Sequence, residues 1–271
     1  MSAPAFEVVR PGIATTFQDR GRPGLAHLGV GAAGAVDRGL AALVNRLVGN
    51  DPASVVIETC GGLELEATAA VVVATSADLA PTTLAAGERI VVRPGARGRL
   101  WHYVAVSGGF DVETVLGSAS RDTLAGLGPA PLTEGQGLER RLASRAYTAV
   151  DHVPLRELDL VVRVAPGPRR DWFSDRSWDH LVSTEWTVTT TSRIGVRLAG
   201  DGIERIVERE LPSEGLVSGA IQVPPGGEPV VMLADHPTTG GYPVIAVVHP
   251  DDVSTVGQHS AGSRIRLHRY G

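Results

Sequence analysis

Short runs rich in valine, isoleucine and threonine recur along this chain, at 5–10, 54–58, 69–75, 89–93, 100–106, 158–164, 186–191, 220–223, 229–234 and 243–248, each bounded by turn residues. Runs of that length and composition read as strands, so the chain is expected to fold as a mainly β protein with few short helices. The breaks at 94–98 (PGARG), 107–110 (SGGF) and 223–229 (VPPGGEP) are turns with a mechanism, glycine supplying positive φ and proline holding φ near −65°. The 33 glycines and 18 prolines among 271 residues favour tight turns and short strands over long helices.

One helix is predicted after Asp37, which can cap it. Leu40, Leu43, Val44, Leu47 and Val48 then fall on one helical face, and Gly49 can end it. A second helical stretch is predicted at 170–181, where Trp172, Phe173, Trp178 and Leu181 can share a face, with smaller helical turns at 111–116 and 251–256. The polar stretch 143–157 separates two β-rich halves, giving expected domains 1–148 and 149–271. Gly29 to Gly34 spells G-x-G-x-x-G ahead of the good helix, with Glu58 ending a later strand. The segment before it, 25–28, is too short for a buried central strand and no β-α alternation follows, which argues against a dinucleotide fold.

A net charge of −5 with no basic stripe argues against nucleic acid as a partner. The start lacks a basic segment followed by an apolar one, and no apolar run approaches the ~20 residues that cross a bilayer, so a cytoplasmic location and no membrane partner are expected. The single cysteine, Cys60, excludes an intrachain disulfide and fits a small buried hydrophobe. Every one of the 25 basic residues is arginine. The absence of lysine excludes a P-loop lysine, a lysine Schiff base and a covalently attached biotin on this chain. No G-x-S-x-G elbow is present, the nearest match being GLVSG at 215–219, and histidine spacing supports no metal site.

Two polar clusters stand out. The segment 15–24 (TTFQDRGRPG) gathers hydroxyls, an amide, a carboxylate and two guanidiniums, a set that can bind a carboxylate or phosphate while Asp19 orients an arginine. It also reads as a solvated hairpin tip with a local ion pair. The segment 235–243 (DHPTTGGYP) lies between two apolar strands, where glycines and paired hydroxyls can present N–H groups to an anion, with His236 inside it. A hairpin loop whose threonines cap backbone groups accounts for it equally.

Four stretches together, GIATTFQDRGRPG (12–24), GAVDRGLAALVNRLVGN (34–50), EGLVSGAIQVPPGGEPV (214–230) and DHPTTGGYPVIAVV (235–248), resemble the family of 5-oxoprolinase C subunits, also described as biotin-dependent carboxyltransferases and formerly called allophanate hydrolase subunit 2. The likeness runs from about residue 7 to 267. It implies two cyclophilin-like β-barrel subdomains and obligate work in a hetero-oligomer with the B and A subunits of 5-oxoprolinase. It also implies ATP-dependent opening of 5-oxo-L-proline to L-glutamate, with ATP and its magnesium held jointly with a partner chain, and no activity in the isolated chain. Two alternatives follow from the same family: the carboxyltransferase component of a biotin-dependent urea or amide carboxylase, and a non-enzymatic antagonist of a kinase inhibitor that resembles the B subunit.

Both chemistries activate a poorly reactive amide, which needs donors and acceptors for an amide edge and preorganised positive charge for an anion. Mapped onto matching positions, the resemblance implies Asp19, Gln222 and Asp235 as catalytic residues and Gln18, Arg22, Thr238, Thr239 and Tyr242 as substrate-binding residues. Arginine would take the anion, Gln222 the amide, and Asp235 an orienting role. Two positions depart from the family pattern: Ser192, where aspartate commonly precedes Arg193, and Ala119, where an arginine is usual after Gly-Ser.

Overall fold

The computed structural model describes residues 2–142 and 157–270. Its backbone falls into two compact units. The first comprises the chain up to Pro23, Ala33–Asp122 and the stretch from Gly126. The second comprises Gly24–Ala32, Thr123–Ala125 and everything from Leu158. The expected boundary stretch 143–157 lies, apart from its last residue, outside the described residues.

In the first unit the strands are β1 (Ser2–Arg10), β2 (Thr16–Gln18), β3 (Val56–Thr59), β4 (Leu63–Ala67), β5 (Val71–Thr75), β6 (Pro81–Leu84), β7 (Arg89–Val92), β8 (His102–Val106) and β9 (Gly137–Arg141). They form two antiparallel sheets, β7-β4-β1-β9 and β2-β3-β8-β5-β6. Phe6, Val8, Leu63 and Leu65 from one sheet and Phe17, Ile57, Val73 and Val104 from the other share one buried core. Each such side chain contributes about 1.5–3 kcal/mol by leaving water. Cys60, expected to be buried, is only half-buried, because it sits in the turn between β3 and β4 and not in a strand facing this core.

Helix α1 (Arg38–Leu47) packs on β8 and β5. Asp37 caps it as expected, its carboxylate accepting from Leu40 N, and Gly49 follows with φ +75°. The N-terminus of α1 is anchored by a buried run of hydrogen bonds: Tyr103 Oη donates to Glu58 Oε2 at 2.8 Å and accepts from Asp37 N at 2.7 Å, and Glu58 Oε2 also accepts from Val36 N. Glu58 is thus a structural anchor, and the G-x-G-x-x-G segment is preceded by a 3-10 turn, Ala26–Leu28, and not by a strand.

The second unit contains β10 (Val161–Pro166), β11 (Glu185–Thr191), β12 (Gly195–Ala199), β13 (Glu214–Gly215), β14 (Ala220–Gln222), β15 (Val230–Met232), β16 (Thr239–Gly240), β17 (Val244–Val248) and β18 (Arg264–Arg269). Seven of them close a barrel in the order β10-β17-β14-β15-β12-β11-β18, while β13 and β16 pair separately. An odd ring cannot alternate direction all the way round. The parallel pairing of β10 with β18 meets that requirement, every other pair being antiparallel. Closure removes the unpaired edges that an open sheet would expose.

Helix α2 (Asp175–Ser183) begins later than expected, because Ser174 caps it by accepting from Ser177 N, and the Arg170–Trp172 turn before it is 3-10. The expected turn at 251–256 is observed as a 3-10 turn running into α3 (Val253–Gln258). The expected helical turn at 111–116 is instead a tight two-residue hairpin: Val115 and Ser118 exchange backbone hydrogen bonds, with Leu116 at φ +52° and Gly117 at φ +80° between them. Two consecutive positive φ values are the mark of a type I′ hairpin turn, which no helix can contain. No helix among the described residues is long and apolar enough to cross a membrane, which says nothing of strands.

Candidate functional site

The first polar cluster folds onto the chain a hundred residues on. Asp19 Oδ1 accepts from Gly21 N at 2.7 Å and from the hydroxyls of Ser118 and Ser120 at 2.6 Å each, and Oδ2 accepts from Ala119 N at 2.8 Å. Four donors fill the acceptor capacity of one carboxylate. Arg22, 3% exposed, is turned onto the carbonyls of Val115, Ser118 and Ser120. Gln18 is fully buried and donates to Thr16 Oγ1 and Arg121 O. Gln18 Oε1 and Arg22 Nη1 are buried with no protein partner, one acceptor and one donor in the same cluster. Asp19 and Arg22 together clasp the strained 115–120 hairpin, and Gln18 holds the next residue, Arg121. Gly128 completes the clasp, since a Cβ there would stand 2.3 Å from Ser120 O.

The second cluster is organised by Asp235, which is fully buried. Its Oδ2 accepts from Arg193 Nε at 2.8 Å, Thr123 N at 2.8 Å and Thr123 Oγ1 at 2.7 Å, and its Oδ1 accepts from Arg193 Nη2 at 2.8 Å. The side chains of Arg193 and Asp235 are 2% and 0% exposed, so this is a dry, bidentate ion pair. Gln222 Nε2 donates to Tyr242 O and lies against Gly240, where a Cβ would come within 2.7 Å of that nitrogen. Thr239 and Tyr242 are exposed and Thr238 is half-buried, so these three present side chains at the surface while Asp19, Gln18, Arg22, Gln222 and Asp235 are spent on internal hydrogen bonds. His236 lies against its neighbour's carbonyl, Nδ1 standing 2.7 Å from Pro237 O.

Residue-type reasoning from the sequence missed Ser118, Ser120, Thr123 and Arg193 as members of these clusters. Arg193 stood beside the departure at Ser192, which was its one signal. Ser192 Oγ accepts from Ile194 N and Gly195 N, the turn-closing role that an aspartate performs equally, so this departure keeps the local geometry. Ala119 is fully buried and gives its N–H to Asp19, so here no guanidinium extends from the hairpin.

Next to the Glu58–Tyr103 pair, the N–H of Tyr103 donates to Ser76 Oγ, which also contacts His102 Nδ1 at 3.4 Å. Burial holds the His102 imidazole below its ordinary value, opposed by a backbone hydrogen bond at Arg99 and aided by the charge of Arg99. Burial pushes the Tyr103 phenol well above its usual range, with Glu58 and Asp37 adding to the effect. His102 is therefore neutral in the fold and takes a proton more readily when unfolded. Its contribution to stability is present above about pH 6.5, the ordinary histidine value, and is lost as pH falls below it. As pH falls below about 6.5 the unfolding free energy of His102→Gln is expected to fall less steeply than that of the parent, by at most the about 1.4 kcal/mol per pH unit that one proton carries. Parallel slopes in urea titrations would count against it.

Residues 28–269 match the family model described as carboxyltransferase domain, subdomain A and B. The chain belongs to that family. It is 34% identical to the C subunit of 5-oxoprolinase from Escherichia coli (strain K12), over 97% of this chain and 90% of the relative. It is 31% identical to the urea amidolyase of Lachancea kluyveri over 97% of this chain but only 17% of that longer protein. Among solved structures, that of TTHA0988 superposes with a TM-score of 0.87 at 32% identity, covering 99% of this chain, which spans about half (55%) of the other. The mainly β architecture read from the sequence is thus that of the carboxyltransferase-domain family.

Proposed function

We propose that this chain is the C subunit of an ATP-dependent 5-oxoprolinase, which opens 5-oxo-L-proline to L-glutamate together with A and B subunits in the cytoplasm. The observation that carries the reading is the match to a C subunit of 5-oxoprolinase, which covers 97% of this chain and 90% of that one. A lactam is a poor electrophile; ATP would supply a phosphoryl group to its oxygen, opening the carbonyl carbon to water. The ring C–N bond then breaks with a proton going to nitrogen, and a second water releases the phosphate, leaving L-glutamate, ADP and phosphate. This chain's part is to hold the substrate edge. Tyr242, Thr238 and Thr239 are the accessible donors for it in the second unit, where Asp235 and Arg193 hold the loops of that unit in place; Asp19 and Arg22 hold the 115–120 hairpin of the first unit. Magnesium would come with the nucleotide, which it meets through phosphate oxygens and only one or two carboxylates.

The test is to co-purify this chain with its B and A partners and follow glutamate release from 5-oxo-L-proline with and without ATP. ATP-dependent release only from the full mixture is expected, and a complex that never releases glutamate sinks the reading. The likeness to urea amidolyase favours a second reading, carboxyl transfer from biotin to an amide. With no lysine here, that biotin would arrive on another chain, and the activity would require bicarbonate and be blocked by avidin. Tight complex formation with a B-like protein and no turnover of either kind would mark the antagonist role.

A further inference from the structure

We propose that the first unit carries a binding cleft for a small polyanion of the di- or triphosphate class, lined by Arg20, Arg38 and Arg46. The cleft has a volume of about 340 Å3 and an apolar floor that includes Ala41, Pro52 and Val56, with Ser54 at its side. That size lies at the small end of ordinary ligand pockets, which run from about 300 Å3 upward.

Arg38 and Arg46 lie eight positions apart on α1, so they share one helical face about 12 Å apart along the axis. Arg20 reaches the same cleft from the loop that holds Asp19 and Arg22. None of the three guanidiniums makes a hydrogen bond or ion pair among the described residues, and all three residues are exposed. Several arginines elsewhere are matched by carboxylates, among them Arg89 to Glu64 and Glu66, Arg163 to Asp252, Arg169 to Glu214, Arg193 to Asp235 and Arg266 to Glu185. The one carboxylate lining the cleft among the described residues, Asp19, is filled by four donors of its own.

Three unmatched guanidiniums converging on one concavity repel one another, and an anion with several charged oxygens relieves that repulsion. Their separation along α1 favours charge spread over two or three linked phosphates over a single carboxylate. The apolar floor leaves room for a flat uncharged body joined to them. The site rests on this geometry and does not depend on the oxoprolinase reading.

The test is calorimetric titration of the full chain with sodium tripolyphosphate, with ATP and with glutarate at low and high salt, in the parent, in Arg20→Ala and in the double variant Arg38→Ala/Arg46→Ala. Saturable binding of tripolyphosphate is expected, weakening with salt and falling about tenfold or more in the double variant. ATP binding more tightly than tripolyphosphate would support a nucleotide whose base sits on the apolar floor, and equal affinities would support recognition of the phosphates alone. Because all three side chains are exposed, unchanged urea unfolding of the variants is expected and separates lost binding from lost fold. Absence of tripolyphosphate binding at millimolar concentration overturns the proposal, as do equal affinities in parent and double variant or binding of glutarate as tight as that of tripolyphosphate. Loss of association with a partner chain in the double variant, without any polyphosphate binding, would overturn it in favour of an acidic protein segment.

Discussion

Replacing Asp235 with alanine is expected to cost about 3–5 kcal/mol of folding free energy, because it strips the buried Arg193 guanidinium of the carboxylate that engages two of its nitrogens. The side chains are 2% and 0% exposed, and Asp235 also takes both donors of Thr123. Burial on that scale keeps bulk water from compensating. The charge itself is costly to bury, so the double variant Arg193→Met/Asp235→Leu is expected to recover most of that loss by substituting apolar packing for a desolvated pair. Urea unfolding of the parent, the single and the double variant checks both statements. A single variant within about 1 kcal/mol of the parent would show the pair to be far better hydrated than its burial indicates.

Asp19→Asn is expected to be nearly as disruptive as Asp19→Ala, at about 2–3 kcal/mol, although it preserves shape. An asparagine must place its NH2 at one of the two oxygen positions. At Oδ2 it would oppose the N–H of Ala119, and at Oδ1 the N–H of Gly21. A serine hydroxyl can rotate to accept, but a backbone N–H cannot, so one part-buried donor loses its acceptor in either orientation. The 115–120 hairpin, already strained at Leu116, should then open, seen as faster amide exchange at Ser118 and Ala119. In the assembled complex glutamate release should fall about tenfold, with its pH profile unchanged. A lost limb in that profile would instead make Asp19 a proton-transferring group.

Much of the architecture was legible locally. Every Val/Ile/Thr run overlaps an observed strand, and α1 has the cap, face and terminator that Asp37, Leu40, Val44 and Gly49 announced. Among the strands that escaped were β4 (LELEA) and β18 (RIRLHR), where apolar residues alternate with charged ones instead of β-branched ones. Their burial alternates with period two, the signal that propensity alone overlooks. The 111–116 stretch was misread because a type I′ hairpin needs positive φ at Leu116, a residue type that gives no hint of it.

The sequence by itself determined the mainly β class, the principal helix, the two polar clusters and the family. Each of these is written in residues near one another in the chain, where side-chain period, caps and turns act. Only the tertiary structure decided what the clusters do. Asp19 meets Ser118 and Ser120 across about a hundred residues, and Asp235 meets Thr123 and Arg193 across 112 and 42. Whether a carboxylate is a free base or a filled anchor depends on how many donors surround it and on whether water reaches it. Those donors come from loops that β pairing brings together, and no local pattern in a single chain records which loops will meet.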